Sequence, residues 1–132
     1  MFDILKIEKM IANDFHVTRE NLQSKVYSLP NLHSKYLKFF YKLSEILIKL
    51  ESKKDLMYIK KRNYFLNEHP EVIKPTHVDF YINGDEVFAA LKLKCAKRKL
   101  ELKVIEEALK RCSTISFFCK NIIEYENFLV GN

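Results

Sequence analysis

Apolar side chains recur every three or four residues through most of the chain, a spacing typical of amphipathic helices. The first run, FDILKIEKMIAN at 2–13, predicts a short helix, and a second is predicted near 18–28 with Thr18 as its N-cap. The run SLPNLHS then predicts a break, because proline removes a backbone donor from a helix. Asn31 is expected to cap the longer helix that follows.

Two long stretches without glycine or proline come next, at about 32–66 and about 86–129. Each predicts a long helix, although the weak helix formers RCSTIS at 111–116 predict a bend or break in the second. The chain is therefore expected to be all-α. One helical domain, residues 1–132, would hold the short N-terminal helices, the long helix, a linker and the long C-terminal segment.

The predicted linker, residues 67–85, contains two prolines and must separate the two long helices. Within it, VDFYI at 78–82 alternates weakly and is compatible with a short extended segment, so the pattern leaves open whether it is a strand. Asn83 and Gly84 are expected to make a turn, and Asp85 to cap the next helix.

The helix at 32–66 has two distinct faces. Its apolar stripe consists of Tyr36, Phe40, Leu43, Leu47, Leu50, Met57 and Tyr64. A basic edge lies roughly 110–120° away from this stripe and consists of Lys35, Lys42, Lys49, Lys53 and Lys60. Such an edge is by itself also typical of a solvated surface helix.

The end of this helix departs from that simple pattern. Lys54 and Lys61 fall inside the apolar arc, where a continuing core would not accept unpartnered ammonium groups. Arg62 offers a planar fork for phosphates, and Tyr64 and Phe65 offer faces for bases. The two rings are equally compatible with the last positions of a core. This region is predicted either to end the core or to face water or an anionic partner.

The C-terminal segment has more apolar surface than one neighbour can cover. One stripe consists of Val87, Leu91, Cys95, Leu102, Ile105, Leu109 and Cys112, and a second of Leu93, Leu100 and Val104. The tail adds a broad apolar arc, with Phe117 and Phe128 on its polar side. Self-association is the simplest explanation, and a helix enclosed by its own bundle is the alternative. The expected interface residues are Phe117, Phe118, Ile122, Ile123, Tyr125, Phe128 and Leu129.

The charge of the chain is concentrated in the two long helical segments. The net charge of the chain is +6. Residues 33–66 contain nine basic and three acidic side chains, and residues 86–112 contain eight basic and four acidic side chains. The linker has one basic and four acidic side chains. This distribution favours a polyanion or an anionic membrane surface as partner.

Recognisable catalytic chemistry is missing from the sequence. There is no phosphate-binding loop motif, and the four histidines show no metal-ligand spacing. No enzyme activity, cofactor or metal is therefore expected. No apolar run is long enough to span a membrane, and the N-terminus lacks the features of a signal peptide. The three cysteines are expected to be buried thiols in a reducing cytoplasm.

Four runs resemble the UvsY recombination mediator family of T-even-like phages: SKYL at 34–37, KKDLMYIKKRNYF at 53–65, VDFYINGDE at 78–86 and CKNIIEYENFLVG at 119–131. The resemblance implies a small helical protein that forms a ring-like homo-oligomer, such as a heptamer, and binds single-stranded DNA. It further implies loading of the phage recombinase (UvsX-like) onto strands covered by the phage single-strand-binding protein. The expected location is the cytoplasm of the infected bacterial host, with no membrane partner.

The family has a functional motif of the type Leu-Lys-Ala-Arg-Leu-Asp-Tyr at the end of its long helix. The matching stretch here is 58–64, in which Lys60, Lys61 and Arg62 are contiguous and the Lys-x-Arg register is shifted. The resemblance therefore points to the region rather than to single roles. The expected DNA-binding residues are Lys42, Lys49, Lys53, Lys54, Lys60, Lys61, Arg62 and Tyr64.

Two other functions remain open from the sequence. A helical protein–protein adaptor would use the basic edge to meet an acidic partner, and a nonspecific duplex DNA-binding protein would use it to meet phosphates. Aromatic side chains beside the basic cluster favour single strands, because phosphates of a duplex need no stacking faces.

Overall fold

The computed structural model describes residues 3–131, which contain helices and turns and no strand. The helices are α1 (Ile4–Asp14), α2 (Leu22–Asn63), α3 (Val78–Gly84) and α4 (Glu86–Gly131), with a π-helical turn at Tyr64–Glu68 and a 3₁₀ turn at Pro75–His77. The all-α prediction is confirmed. None of the helices in this part of the chain is long and apolar enough to cross a membrane.

Helix α1 forms much as predicted, although residue 2 lies outside the described range. The Asp3 side chain accepts a hydrogen bond from the Leu5 N–H at 3.1 Å and caps the helix. Ile7 and Ile11, one turn apart, are buried, and Phe15 follows them into the core.

Helix α2 is a single element of 42 residues that joins the short helix predicted near 18–28 to the long helix predicted at about 32–66. Thr18 and Asn21 exchange hydrogen bonds just before it starts. The predicted break at SLPNLHS is wrong, since Pro30 lies inside the helix and Asn31 is an interior residue and not a cap. The exposed proline costs the helix about 3 kcal/mol. Four buried side chains at seven-residue spacing outweigh that cost: Leu22, Leu29, Tyr36 and Leu43.

The part of the linker whose pattern is compatible with a strand is helical. Residues 78–82 belong to α3, and the fully buried Val78 and Ile82 stand four residues apart on one face. Asp85 caps α4 as predicted, because its Oδ1 accepts from the Phe88 N–H at 2.9 Å.

Helix α4 continues through the predicted bend or break at 111–116, which does not interrupt it. Val87, expected on the buried stripe, is exposed, and Phe88 is buried in its place. Cys95, Cys112 and Cys119 are buried free thiols, as predicted.

The chain divides into two compact units, residues 1–42 with 100–132 and residues 43–99. Unit 1 holds α1, the start of α2 and the end of α4; unit 2 holds the end of α2, both turns, α3 and the start of α4. The expectation of one domain over 1–132 stays a prediction. Within unit 2, the Lys99–Glu51 ion pair at 3.0 Å joins α4 to α2.

Lys35, a member of the predicted basic edge, has a structural role in unit 1. Its ammonium lies 2.6 Å from Asp14 Oδ2, and the hydroxyl of the buried Tyr36 donates to the same oxygen at 2.7 Å. Burial acts to raise the pKa of Asp14, but the bonds from Lys35 and Tyr36 outweigh it and the pKa is lowered. This charge is therefore committed to holding α1 on α2.

Candidate nucleic-acid interface

Three lysines near the end of α2 have no acidic partner in the part of the chain that the structure describes. Lys53 and Lys60 are exposed and Lys54 is half-buried, and all three belong to unit 2. We name these residues the lysine cluster, and ammonium groups without an acidic partner attract an outside anion.

The other predicted basic residues are placed differently. Lys61 is half-buried and forms an ion pair with Asp85 at 3.1 Å, and the exposed Lys49 pairs with Glu45 at 3.1 Å one turn away. Arg62 is exposed and its guanidinium lies beside the Tyr58 hydroxyl. Lys42 is exposed and belongs to unit 1.

The ion pair between Lys61 and Asp85 explains how a lysine is accommodated in the apolar arc of α2. Asp85 also caps α4, so one carboxylate serves both helices. The hydrogen bond from the Phe88 N–H and the Lys61 ammonium hold the pKa of Asp85 below its ordinary value of 3.8. Lys61 thereby joins the end of α2 to the start of α4.

Replacing Asp85 with alanine is expected to lower the free energy of unfolding by about 1 kcal/mol at pH 7, because the cap is lost. Asp85→Asn keeps a cap and loses only the ion pair, so its cost should be about half as large. The pKa of Asp85 is lower in the folded state than in the unfolded state. The charged carboxylate therefore stabilises the fold fully above its ordinary pKa, and this stabilisation is lost as pH falls through the folded pKa. Urea unfolding at pH 7 and below pH 3 measures the free energy of unfolding of the wild type and of both variants. Equal destabilisation by both variants would contradict the cap.

Helix α4 adds a lysine that was not among the predicted site residues. Lys94 lines the same groove as Lys53, a space of about 330 Å³ in unit 2. The carboxylate residue Glu86 lines it as well. The net charge of the 86–112 segment signalled a basic surface, but a helical pattern within one segment cannot show which lysine meets another helix.

The two aromatic side chains at the end of α2 have different environments. Phe65 is half-buried and packs on the core formed by Ile73, Val78, Ile82 and Phe88. Tyr64 is exposed and meets Phe65 edge-on, with ring centroids 5.2 Å apart. Both lie in the π-helical turn, a rare backbone form that is frequent at functional sites.

Two exposed aromatic side chains of α3 were not among the predicted site residues. Phe80 and Tyr81 lie next to the π-helical turn, with Tyr81 5.7 Å from Phe65 between ring centroids. Their sequence signal was an aromatic pair inside an acidic linker, which the weak alternation of VDFYI obscured.

The predicted interface residues lie on α4 in unit 1. Phe117, Phe118, Tyr125, Phe128 and Leu129 are exposed, and Ile122 and Ile123 are half-buried. From the second apolar stripe of α4, Leu93 and Leu100 are exposed too. Exposed apolar residues are typical of interaction sites, and a contact between copies through the tail residues stays a prediction.

The fold and the site define a small all-helical protein with a basic surface bordered by aromatic rings, a combination found in proteins that bind nucleic acid without reading its sequence. Residues 10–132 match the family described as "Recombination, repair and ssDNA binding protein UvsY", and the chain belongs to this family. The resemblance noted in the sequence is therefore confirmed.

Crystal structures of the bacteriophage T4 recombination mediator protein UvsY have the same fold. The lattice type II structure gives a TM-score of 0.90 at 14% identity and covers 98% of this chain and 99% of that chain. The lattice type IV structure gives a TM-score of 0.88 at 14% identity and covers 96% of this chain and 98% of that chain. The type I structure gives 0.84 at 15%, covering 93% and 98%. No curated protein sequence matches the chain.

Proposed function

We propose that the protein is a recombination mediator that binds single-stranded DNA without sequence preference as a ring-like homo-oligomer. In this role it promotes loading of the phage recombinase onto strands covered by single-strand-binding protein. The observation that carries the proposal is the lysine cluster of Lys53, Lys54 and Lys60, which has no acidic partner in the described chain of a UvsY family member.

The lysine cluster suits the phosphate backbone of DNA for electrostatic reasons. Ammonium groups that neutralise phosphates release condensed counterions, and this release drives binding that weakens steeply with salt. Arg62 beside them offers a planar donor fork for a further phosphate. Exposed rings next to these cations supply faces on which unpaired bases stack.

Assembly would multiply a modest single-site affinity. A ring that presents many copies of the lysine cluster to one strand turns each further contact into an intramolecular one. The exposed tail residues, Phe117, Phe118, Ile122, Ile123, Tyr125, Phe128 and Leu129, are the proposed contacts between copies. The protein would act without catalysis, cofactor or metal, in the cytoplasm of the infected host.

The test is the affinity of the protein for a labelled single-stranded oligonucleotide and for the matching duplex, by fluorescence anisotropy across a salt series. We expect tighter binding to the single strand and a linear fall of log affinity with log salt. Equal affinity for both would favour a nonspecific duplex-binding protein. Absence of binding at low salt, together with capture of an acidic protein, would favour the adaptor and overturn the proposal.

A second assay addresses the mediator role. Recombinase filaments are assembled on an oligonucleotide already covered by single-strand-binding protein, with and without the chain. We expect faster filament formation in its presence. An unchanged rate would leave a DNA-binding protein without mediator activity and would contradict this part of the proposal.

A further inference from the structure

Five ring-bearing side chains meet in unit 2, where the π-helical turn lies beside α3. We call Tyr64, Phe65, His69, Phe80 and Tyr81 the aromatic cluster. Phe65 lies 5.6 Å from His69 and 5.7 Å from Tyr81 between ring centroids, and Phe80 lies 6.1 Å from Tyr81. These separations are in the range of favourable aromatic pairs, so the rings order one another.

The aromatic cluster has an anchored inner side and an exposed outer side. Phe65 packs on the core of unit 2. By contrast, Phe80 is 81% exposed, and Tyr64 and Tyr81 are 41% and 40% exposed. A phenylalanine left in water does not stabilise the fold, whereas a ring held by neighbours beside a cationic helix is ready to meet a flat partner.

The charges around the aromatic cluster favour different positions for the phosphates and for the bases of a nucleic-acid strand. On the side of α2, Arg62 lies beside the Tyr58 hydroxyl, which donates to Asp79, the residue before Phe80. Besides Asp85, which is paired with Lys61, the linker has three carboxylates and one lysine, so its net negative charge repels phosphates. It does not repel the uncharged face of a base. A strand with its phosphates on α2 therefore fits best with its bases on α3.

We propose that Phe80, Tyr81 and Tyr64 form a base-stacking site for single-stranded DNA, with the neighbouring phosphates held on the α2 side. The inference rests on the proposed function and adds the aromatic residues of α3 to it. Stacking needs a free base face, which a duplex keeps covered by its own neighbouring pairs. The aromatic cluster would thus give the preference for single strands that the lysine cluster alone cannot give.

The absence of tryptophan from the chain allows a direct test of contact. The Phe80→Trp variant carries one tryptophan, whose fluorescence should be quenched when a thymidine oligonucleotide stacks on it. Tyr27→Trp is the matched control, because Tyr27 is 84% exposed on α2 in unit 1 and outside the site. Its fluorescence should not change. Quenching in both variants, or in neither while the oligonucleotide binds, would overturn the stacking site.

Affinity measurements separate stacking from charge. Phe80→Ala should weaken binding of a single-stranded oligonucleotide about tenfold and leave the salt slope unchanged. An abasic oligomer of the same length should bind wild type and Phe80→Ala equally, since it has phosphates and no base faces. An unchanged affinity of Phe80→Ala for the normal oligonucleotide would overturn the inference while the proposed function stands. Failure of wild type to bind any single strand would overturn both.

Discussion

Replacing Lys53, Lys54 and Lys60 together with alanine is expected to weaken binding of single-stranded DNA about 100-fold at low salt. Two unit charges 4 Å apart in water interact by about 1 kcal/mol, so three lost contacts cost about 3 kcal/mol. Each contact on a single strand adds about 0.7 to the slope of log affinity against log salt, so the slope should fall by about two. Anisotropy across a salt series measures both quantities.

The matched control removes the same charge elsewhere. Lys6, Lys9 and Lys103 are exposed residues of unit 1 and belong to neither proposed site. Their triple alanine variant has the same net charge as the test variant and should bind nearly as wild type does. If both variants lose affinity equally, the net charge of the protein and not the lysine cluster drives binding.

Placing aspartate at Phe118 and Tyr125 is expected to dissociate the proposed homo-oligomer into single chains. The two residues stand seven apart on one exposed face of α4, so both charges would be desolvated at a contact between copies. With avidity lost, affinity for a long single strand should fall by about 10²- to 10⁴-fold. Sedimentation velocity gives the mass of the assembly, and anisotropy gives the affinity.

Control substitutions keep this test specific. Leu5→Asp with Tyr27→Asp adds the same charge at two exposed positions of unit 1 outside the tail. This variant should keep the mass and affinity of the wild type, and circular dichroism should show equal helix content in all three proteins. A Phe118→Asp, Tyr125→Asp variant that retains the wild-type mass would show that the tail does not hold the copies together.

Periodicity predicted the long helices well, because a stripe repeated over many turns leaves few alternatives. The prediction failed at Pro30. Proline by itself favours a break in the helix, whereas the burial of Leu22 and Leu29 favours a continuous helix. About 3 kcal/mol lost at one proline is no more than the burial of two leucines on the same stripe returns, at about 1.5–3 kcal/mol each. The run VDFYI was too short to separate the two periods, and the burial of its first and last residues decided for helix.

The lysines of α2 show which features of the site could be predicted from the sequence and which depend on the tertiary structure. Their sequence positions placed Lys54 and Lys61 alike in the apolar arc of α2, and the physical requirement for partners was evident. The structure supplied a partner for Lys61 only, because Asp85 comes from the start of α4. No pattern within α2 contains that contact.

The sequence by itself determined an all-helical chain, a basic α2, the cap at Asp85 and the apolar tail, because each depends on residues close together along the chain. The tertiary structure alone decided which lysines remain without a partner and which rings meet. Phe65 reaches Tyr81 only because the linker folds back as α3, with Val78 and Ile82 buried in the core. Pairing of charges and clustering of rings depend on distances in space, which spacing along one helix does not encode.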